Sequence, residues 1–282
     1  MSERATFQVG PIVLAAAAVT DVGLKRKHNE DAVLALPALY LVADGMGGYE
    51  AGDQASAAVV EAFRSVAEDR APLTLELIRE ALERADDGVA TVADGTSRGA
   101  GSTVAGAAIV DYGGSPHWVI FNVGDSRVYR HAGPVLQQVT IDHSLGQELY
   151  DAGRITAAEL AVFPDRNVIT RAIGALDAEA DSWLLPLRNG ERLLICSDGL
   201  TTEVPDELIR QTLTGSVDPV DTANALVALA KRSGGRDNIS VVLVEVRSGA
   251  ADFGVEGAPG AADEDDPFLL ETTIPVVEGT SG

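Results

Sequence analysis

Acidic residues interrupt apolar runs where a strand would begin or end. Asp44 follows LYLVA (39–43), Asp198 follows RLLICS (192–197) and Asp125 follows VIFNVG (119–124). Asp237 stands just ahead of ISVVLVEV (239–246), and Glu30 and Asp31 stand directly ahead of AVLAL (32–36). Antiparallel pairing sets the end of one strand beside the start of its neighbour, so these acids can share one rim. Each alone reads as an ordinary turn signal, since Asp-Gly is common in turns. Gathered together they would repel, and either some must hold a proton or a cation must sit among them. Oxygen-only donors point to a hard ion, Mg²⁺ or Mn²⁺. The four histidines show no zinc spacing. A pair of such ions about 3.5–4 Å apart can hold and acidify a shared water and aim it at phosphorus or a carbonyl carbon. Gly45 can offer a backbone carbonyl to a metal with no side chain in the way, and Gly47 and Gly48 open the turn. Arg26 is a candidate for a bidentate grip on phosphate, while Lys25 and Lys27 read as solvated charges.

The elements that must position these residues are legible as patterns. Strand-like runs fall at 12–19, 32–36, 39–43, 102–110, 117–123, 126–131, 135–139, 192–197 and 239–246. Helix-like runs fall at 52–69 and 74–93, the second with Leu75, Ile78, Leu82, Ala85 and Val89 at steps of three and four. Further helices are expected near 206–213 and 219–233, with a shorter one at 143–153 ending at Gly153. Strands come in groups and helices in pairs, unlike the alternation of a doubly wound fold. The class expected is α+β, with two packed, mostly antiparallel sheets and helices outside them.

The chain has 282 residues, 46% of them hydrophobic, which suits one large domain or two small ones. Its net charge of −22 repels nucleic acid and anionic membranes. The single cysteine, Cys196, allows no internal disulfide; it reads as a small buried apolar residue in a reducing compartment. The N-terminus lacks the pattern of a signal peptide, and the apolar run 12–19 is shorter than the roughly 20 residues a membrane helix needs. A cytoplasmic protein is expected. Residues 1–247 read as one domain. Residues 248–282 carry acids and no Lys or Arg, a composition expected to stay disordered, with the less polar PFLLETTIPVV (267–277) as a docking or phosphorylation segment.

Eight segments in order resemble a known family: TDVGLKRKHNED (20–31), LVADGMGG (41–48), GSTVAGAAI (101–109), NVGDSRVYR (122–130), DHSLGQELYDAGRIT (142–156), RNVITRAIG (166–174), LLICSDGL (193–200) and GGRDNISVVLV (234–244). They are similar to the bacterial form of the metal-dependent Ser/Thr protein phosphatases, the type 2C class or PPM family, over roughly residues 10–247. The resemblance implies a four-layer α-β-β-α sandwich of two antiparallel sheets flanked by antiparallel helix pairs. It also implies hydrolysis of phosphoserine and phosphothreonine by a hydroxide bridging two Mn²⁺ or Mg²⁺ ions. In that reading Asp44 bridges the metals, Gly45 ligates one through its carbonyl, and Asp198 and Asp237 complete the shell of the first metal. Asp125, with Asp198, matches a third and weaker metal position. Glu30 and Asp31 act through waters or behind the ligands, Asn238 supports Asp237, and Arg26 binds the substrate phosphate. Residues 142–170 form a flap that contacts substrate, with His143 and Arg166 in it.

The chain departs from the family at two points. Met46 stands where eukaryotic members carry a His proposed to protonate the leaving oxygen, so a metal-bound water, or else His143, takes that role. Phe163 stands where related sequences often carry His before proline. The implied partners are phosphoproteins, a Ser/Thr kinase system, and a phosphothreonine-reading domain reached through the tail. A non-catalytic binding module is the competing reading, and such a module should lack a ligand.

Overall fold

Runs rich in β-branched and apolar residues pair into two antiparallel sheets. The computed structural model describes residues 5–47, 51–97, 99–165, 168–175 and 178–252. One sheet has the lateral order β1 (Ala5–Val9), β2 (Ile12–Asp21), β12 (Ile239–Ser248), β11 (Arg192–Cys196), β8 (Arg127–Ala132) and β9 (Val135–Gln138). The other runs β10 (Asp181–Pro186), β7 (Ser115–Val123), β6 (Val104–Tyr112), β4 (Leu39–Met46) and β3 (Asp31–Leu36), with the two-residue β5 (Gly101–Ser102) also on β4.

Helices α1 (Ala51–Ala67) and α2 (Leu75–Asp94) pair with each other, and α1 lies on β3 and β4. On the other side α7 (Pro219–Ser233) covers β2 and β12, and α6 (Asp206–Gly215) packs beside it. The expected four-layer α-β-β-α sandwich is present. Local signals start and stop these helices. The Thr74 hydroxyl accepts from the Leu77 amide ahead of α2, whose buried stripe is Ile78, Ala81, Ala85 and Val89. Asp218 caps α7, Pro219 opens it, and Lys231 and Arg232 sit in its last turn. Phe63 of α1 stacks on Phe121 of β7 with centroids 4.9 Å apart. The backbone beneath must be glycine, because a Cβ on Gly106 would lie 2.3 Å from the Phe121 ring.

Sequence patterns overlook β1 and β10. Both are edge strands, the first in a polar N-terminal stretch with alternating exposure, the second a short run between an acid and a proline. The flap adds two small helices, α3 (Leu145–Asp151) and α4 (Ala157–Leu160), and α5 (Asp198–Thr201) follows β11. β12 extends past the expected boundary at 247. Beyond it the Asn189 side chain donates to the Ala250 carbonyl and accepts from the Ala250 amide, clasping the chain at the pole far from the acids. The expected disordered segment lies outside the described residues from 253 onward.

Between the sheets Glu191 is fully buried, held by Arg130 Nε at 2.7 Å, Trp118 Nε1 at 2.9 Å and the Arg188 amide at 2.8 Å. Removing one partner of such a pair leaves a charge stranded in a poorly polarisable interior. Arg130→Met is expected to lower unfolding free energy by about 3–5 kcal/mol in urea titration. A loss below about 1 kcal/mol, the value of an exposed ion pair, would contradict this account.

Candidate active site

β4 and β11 run toward one end of the sandwich, and β3 and β12 begin there, so their acids share a rim. Asp31 and Asp44 are direct cross-strand partners. Asp31 also crosses between the sheets. Its Oδ2 accepts from the hydroxyls of Ser197, just past β11, at 2.9 Å and Ser240 of β12 at 2.7 Å, both from the opposite sheet's side. Its Oδ1 is buried with no hydrogen-bond partner. The main chain at Asp44 is held in turn by Thr103, whose hydroxyl accepts from the Asp44 amide at 3.0 Å and whose amide donates to the Asp44 carbonyl at 2.8 Å. Ser102 Oγ donates to the same carbonyl at 3.1 Å.

Asn238 ties the phosphate-side loop to β12. Its Oδ1 accepts from the Glu30 amide at 2.8 Å, and its Nδ2 donates to the carbonyls of Val22 and His28. Its own amide donates to Asp237 Oδ1 at 2.8 Å. Two glycines let the backbones close here. A Cβ would lie 1.9 Å from the Asn238 carbonyl oxygen at Gly199, and 2.1 Å from that of Asp237 at Gly23, where φ is +75°. Gly45 also has a packing reason. Its missing side chain makes room for α1, since a Cβ would sit 1.9 Å from the Gly52 carbonyl oxygen.

Crowding of carboxylates in a desolvated seam governs the electrostatics. Burial, then neighbouring acids, pushes Asp44 well above the usual carboxylate range. Asp125 is raised the same way, by burial and then by Asp198. Burial lifts Asp198 to about 7, with Asp237 and Asp31 adding to it. Burial lifts Asp31 to about 6 against the hydroxyls of Ser240 and Ser197. Asp44 keeps a partial opening to solvent, although protein atoms surround it densely. Arg26 lies at the lip, 48% exposed, donating to Asp237 Oδ2 at 2.7 Å and standing 3.7 Å from Glu30.

In this side-chain arrangement no three His, Cys, Asp or Glu among the described residues close round a single point. The strand ends bring the expected ligands to one rim, with Asp237 turned to Arg26. The donor chemistry still fits hard divalent cations: oxygen atoms only, carboxylates raised by mutual repulsion, and a buried orphan oxygen on Asp31. Burial pushes the Cys196 thiol up to about 12, in keeping with an inert core residue.

The flap expectation for His143 needs correction. His143 is turned into the protein. It is 5% exposed, its Nδ1 accepts from the Gly124 amide at 3.1 Å, and its Nε2 lies 3.2 Å from Asp181 Oδ2. Its ring is thereby a joint between the β7–β8 turn and β10, with no free nitrogen for a leaving group. Arg166 lies outside the described residues. Sequence reasoning gave no role to Ser197, Ser240, Ser102 and Thr103. Their only signal is position, each within three residues of an acid or in the GST run.

A model of the family described as Protein phosphatase 2C matches residues 25–232. Serine/threonine phosphatase stp of Listeria monocytogenes is 35% identical over 239 residues, covering 80% of this chain and 93% of its own. Serine/threonine protein phosphatase PstP of Mycobacterium tuberculosis is 35% identical over 238 residues, covering 83% of this chain but 45% of its own length. A crystal structure of the PstP catalytic domain in complex with two manganese ions has a TM-score of 0.76 at 33% identity, covering 84% of this chain and all of that one.

The raised carboxylates set a direction with pH. The folded, metal-free protein binds protons more tightly than the unfolded chain, whose Asp titrates near 3.9. Stability from these groups is therefore full below about pH 4 and is lost as pH rises through about 6–7. Divalent cations displace those protons. The melting-temperature gap between Mn²⁺-loaded and chelator-treated protein is expected to be wider at pH 8 than at pH 5 by calorimetry. Equal gaps at both pH values would refute the account.

Proposed function

The chain belongs to the protein phosphatase 2C family, and from that membership we propose that it hydrolyses phosphoserine and phosphothreonine on proteins in a metal-dependent reaction. The observation that carries the proposal is the rim: Asp44, Asp198, Asp237 and Asp125 from four distant segments, with Arg26 at its lip. Every ligand position of the family is filled, which disfavours a non-catalytic binding module.

Asp44, the Gly45 carbonyl, Asp198 and Asp237 are the groups to hold two Mn²⁺ or Mg²⁺ ions, with Asp125 and Asp198 at a third position. When bound, such ions neutralise phosphate charge and make the attacking water more acidic. The chain's own contribution is positioning. Arg26 offers a planar fork of donors to the phosphate oxygens from a half-exposed place where a protein substrate can reach it. Asp31 keeps Asp44 in register and Asn238 keeps Asp237 and Glu30 together. Neither Met46, a thioether, nor His143, bonded through both nitrogens, supplies a proton to the departing oxygen. That proton comes from solvent in the cleft.

We further take residues through 252 as the catalytic unit and 253–282 as an appended segment. No helix among the described residues is long and apolar enough to cross a membrane. A cytoplasmic setting, opposite a Ser/Thr kinase and with the appended segment offered to a phosphothreonine-reading domain, completes the proposal. Names of relatives such as Serine/threonine phosphatase stp support its general direction.

Purified protein should turn over an aryl phosphate with Mn²⁺ and lose that activity with chelator. Asp198→Ala is expected to lower kcat by about 10²–10³ or more. Arg26→Ala should raise KM more than it lowers kcat, with kcat/KM down about tenfold to a hundredfold. Chelator and Asp198→Ala both leaving the rate unchanged would sink the proposal.

A further inference from the structure

The two ends of the flap meet at one carboxylate. Asp181 of β10 takes Arg171 Nη1 on its Oδ1 and faces His143 Nε2 with its Oδ2, each at 3.2 Å. The main chain joins the same two ends, since the Thr170 amide donates to the His143 carbonyl at 2.9 Å.

His143 in turn holds the turn that carries Asp125. Its amide donates to the Gly124 carbonyl at 2.9 Å, and its Nδ1 accepts from the Gly124 amide at 3.1 Å. On the other flank the turn rests on Thr103. A Cβ on Gly124, where φ is +107°, would lie 2.6 Å from Thr103 Cγ2, and the Ser126 and Thr103 hydroxyls are 2.8 Å apart. Thr103 also clamps Asp44, so Asp44 keeps its hold if His143 lets the turn go.

This bonding fixes a tautomer. A backbone N–H only donates, so Nδ1 is bare and the ring proton sits on Nε2. Arg171 Nη1 stands 3.4 Å from that same Nε2 and, as a donor, favours the opposite tautomer. The Asp181 carboxylate accepts from both and settles the conflict. Without it Arg171 donates to Nε2, the proton moves to Nδ1, and N–H faces N–H at Gly124.

We propose that Asp181 is a positioning residue, setting the Gly124–Asp125 peptide through His143 and with it the cation affinity of the Asp125 position. The inference rests on the phosphatase reading and extends it to a residue that acts only through another. Three forms of the full chain test it: unaltered, Asp181→Ala, and Asp181→Ala with Arg171→Met. Imidazole nitrogen NMR on the metal-free chain reads the His143 tautomer, and calorimetry reads Mn²⁺ binding.

The unaltered chain is expected to show Nε2–H, and a weak third Mn²⁺ beyond two tight ones. Asp181→Ala should move the proton to Nδ1 and weaken the third ion about tenfold, with the two tight ions unchanged. Adding Arg171→Met removes the competing donor and should restore both the tautomer and the third-ion affinity. An unmoved tautomer, an unchanged third ion, equal loss at all three ions, or failure of the double variant to restore them overturns the inference and leaves the phosphatase reading intact. A third ion missing from the unaltered chain overturns it as well. No Mn²⁺ binding at all, with no turnover of an aryl phosphate, removes the phosphatase reading and the inference with it.

Discussion

Carboxylates packed at the seam of two sheets repel one another, and the architecture around them opposes that repulsion. Asp31 shows how. It is nearly buried, neighbours Asp44 across a strand pair, and takes hydrogen bonds from Ser197 and Ser240 of the facing sheet. An acid that itself needs stabilising is thus also what pins the sheets together at the rim. Hydroxyl donors favour its charged form and burial opposes it, and burial wins, as the rise to about 6 records.

The surrounding backbone is rigid for the same reason. Thr103 and Ser102 clamp the main chain of Asp44, Asn238 joins the loop bearing Arg26 and Glu30 to the strand bearing Asp237, and Gly23 and Gly199 let these segments touch. At Asp44 these contacts fall on the main chain and leave the carboxylate to turn. Side chains that must trade a guanidinium or a proton for a metal need that freedom, and a scaffold that moved with them would lose the shared rim.

What could be read from sequence followed from local signals. An apolar run ending at an acid and a glycine announces both a strand and its tip, so Asp44 and Asp198 were legible; Asp237 was legible from its place just ahead of one, and helix pairs showed in their spacing. Asp31's serine partners were not, because a serine within a strand looks alike whether it faces solvent or a carboxylate 166 or 209 residues away. His143 was placed in the substrate flap by the resemblance, whereas its orientation depends on Gly124 and Asp181. Gly45 was found for an incomplete reason: the helix that presses on it comes from a packing step no local pattern encodes. The edge strands β1 and β10 escaped for want of a continuous apolar run.

The final strand, β12, does not lie at an edge. It inserts between β2, formed near the start of the chain, and β11. A ribosome would therefore release most of this polypeptide before its central strand existed, leaving β2 and β11 with bare edges and Asp31 lacking Ser240. Pairings this distant in sequence form slowly. Emergence of β12, with Asp237 just ahead of it, is the event that completes the set of acids at the rim.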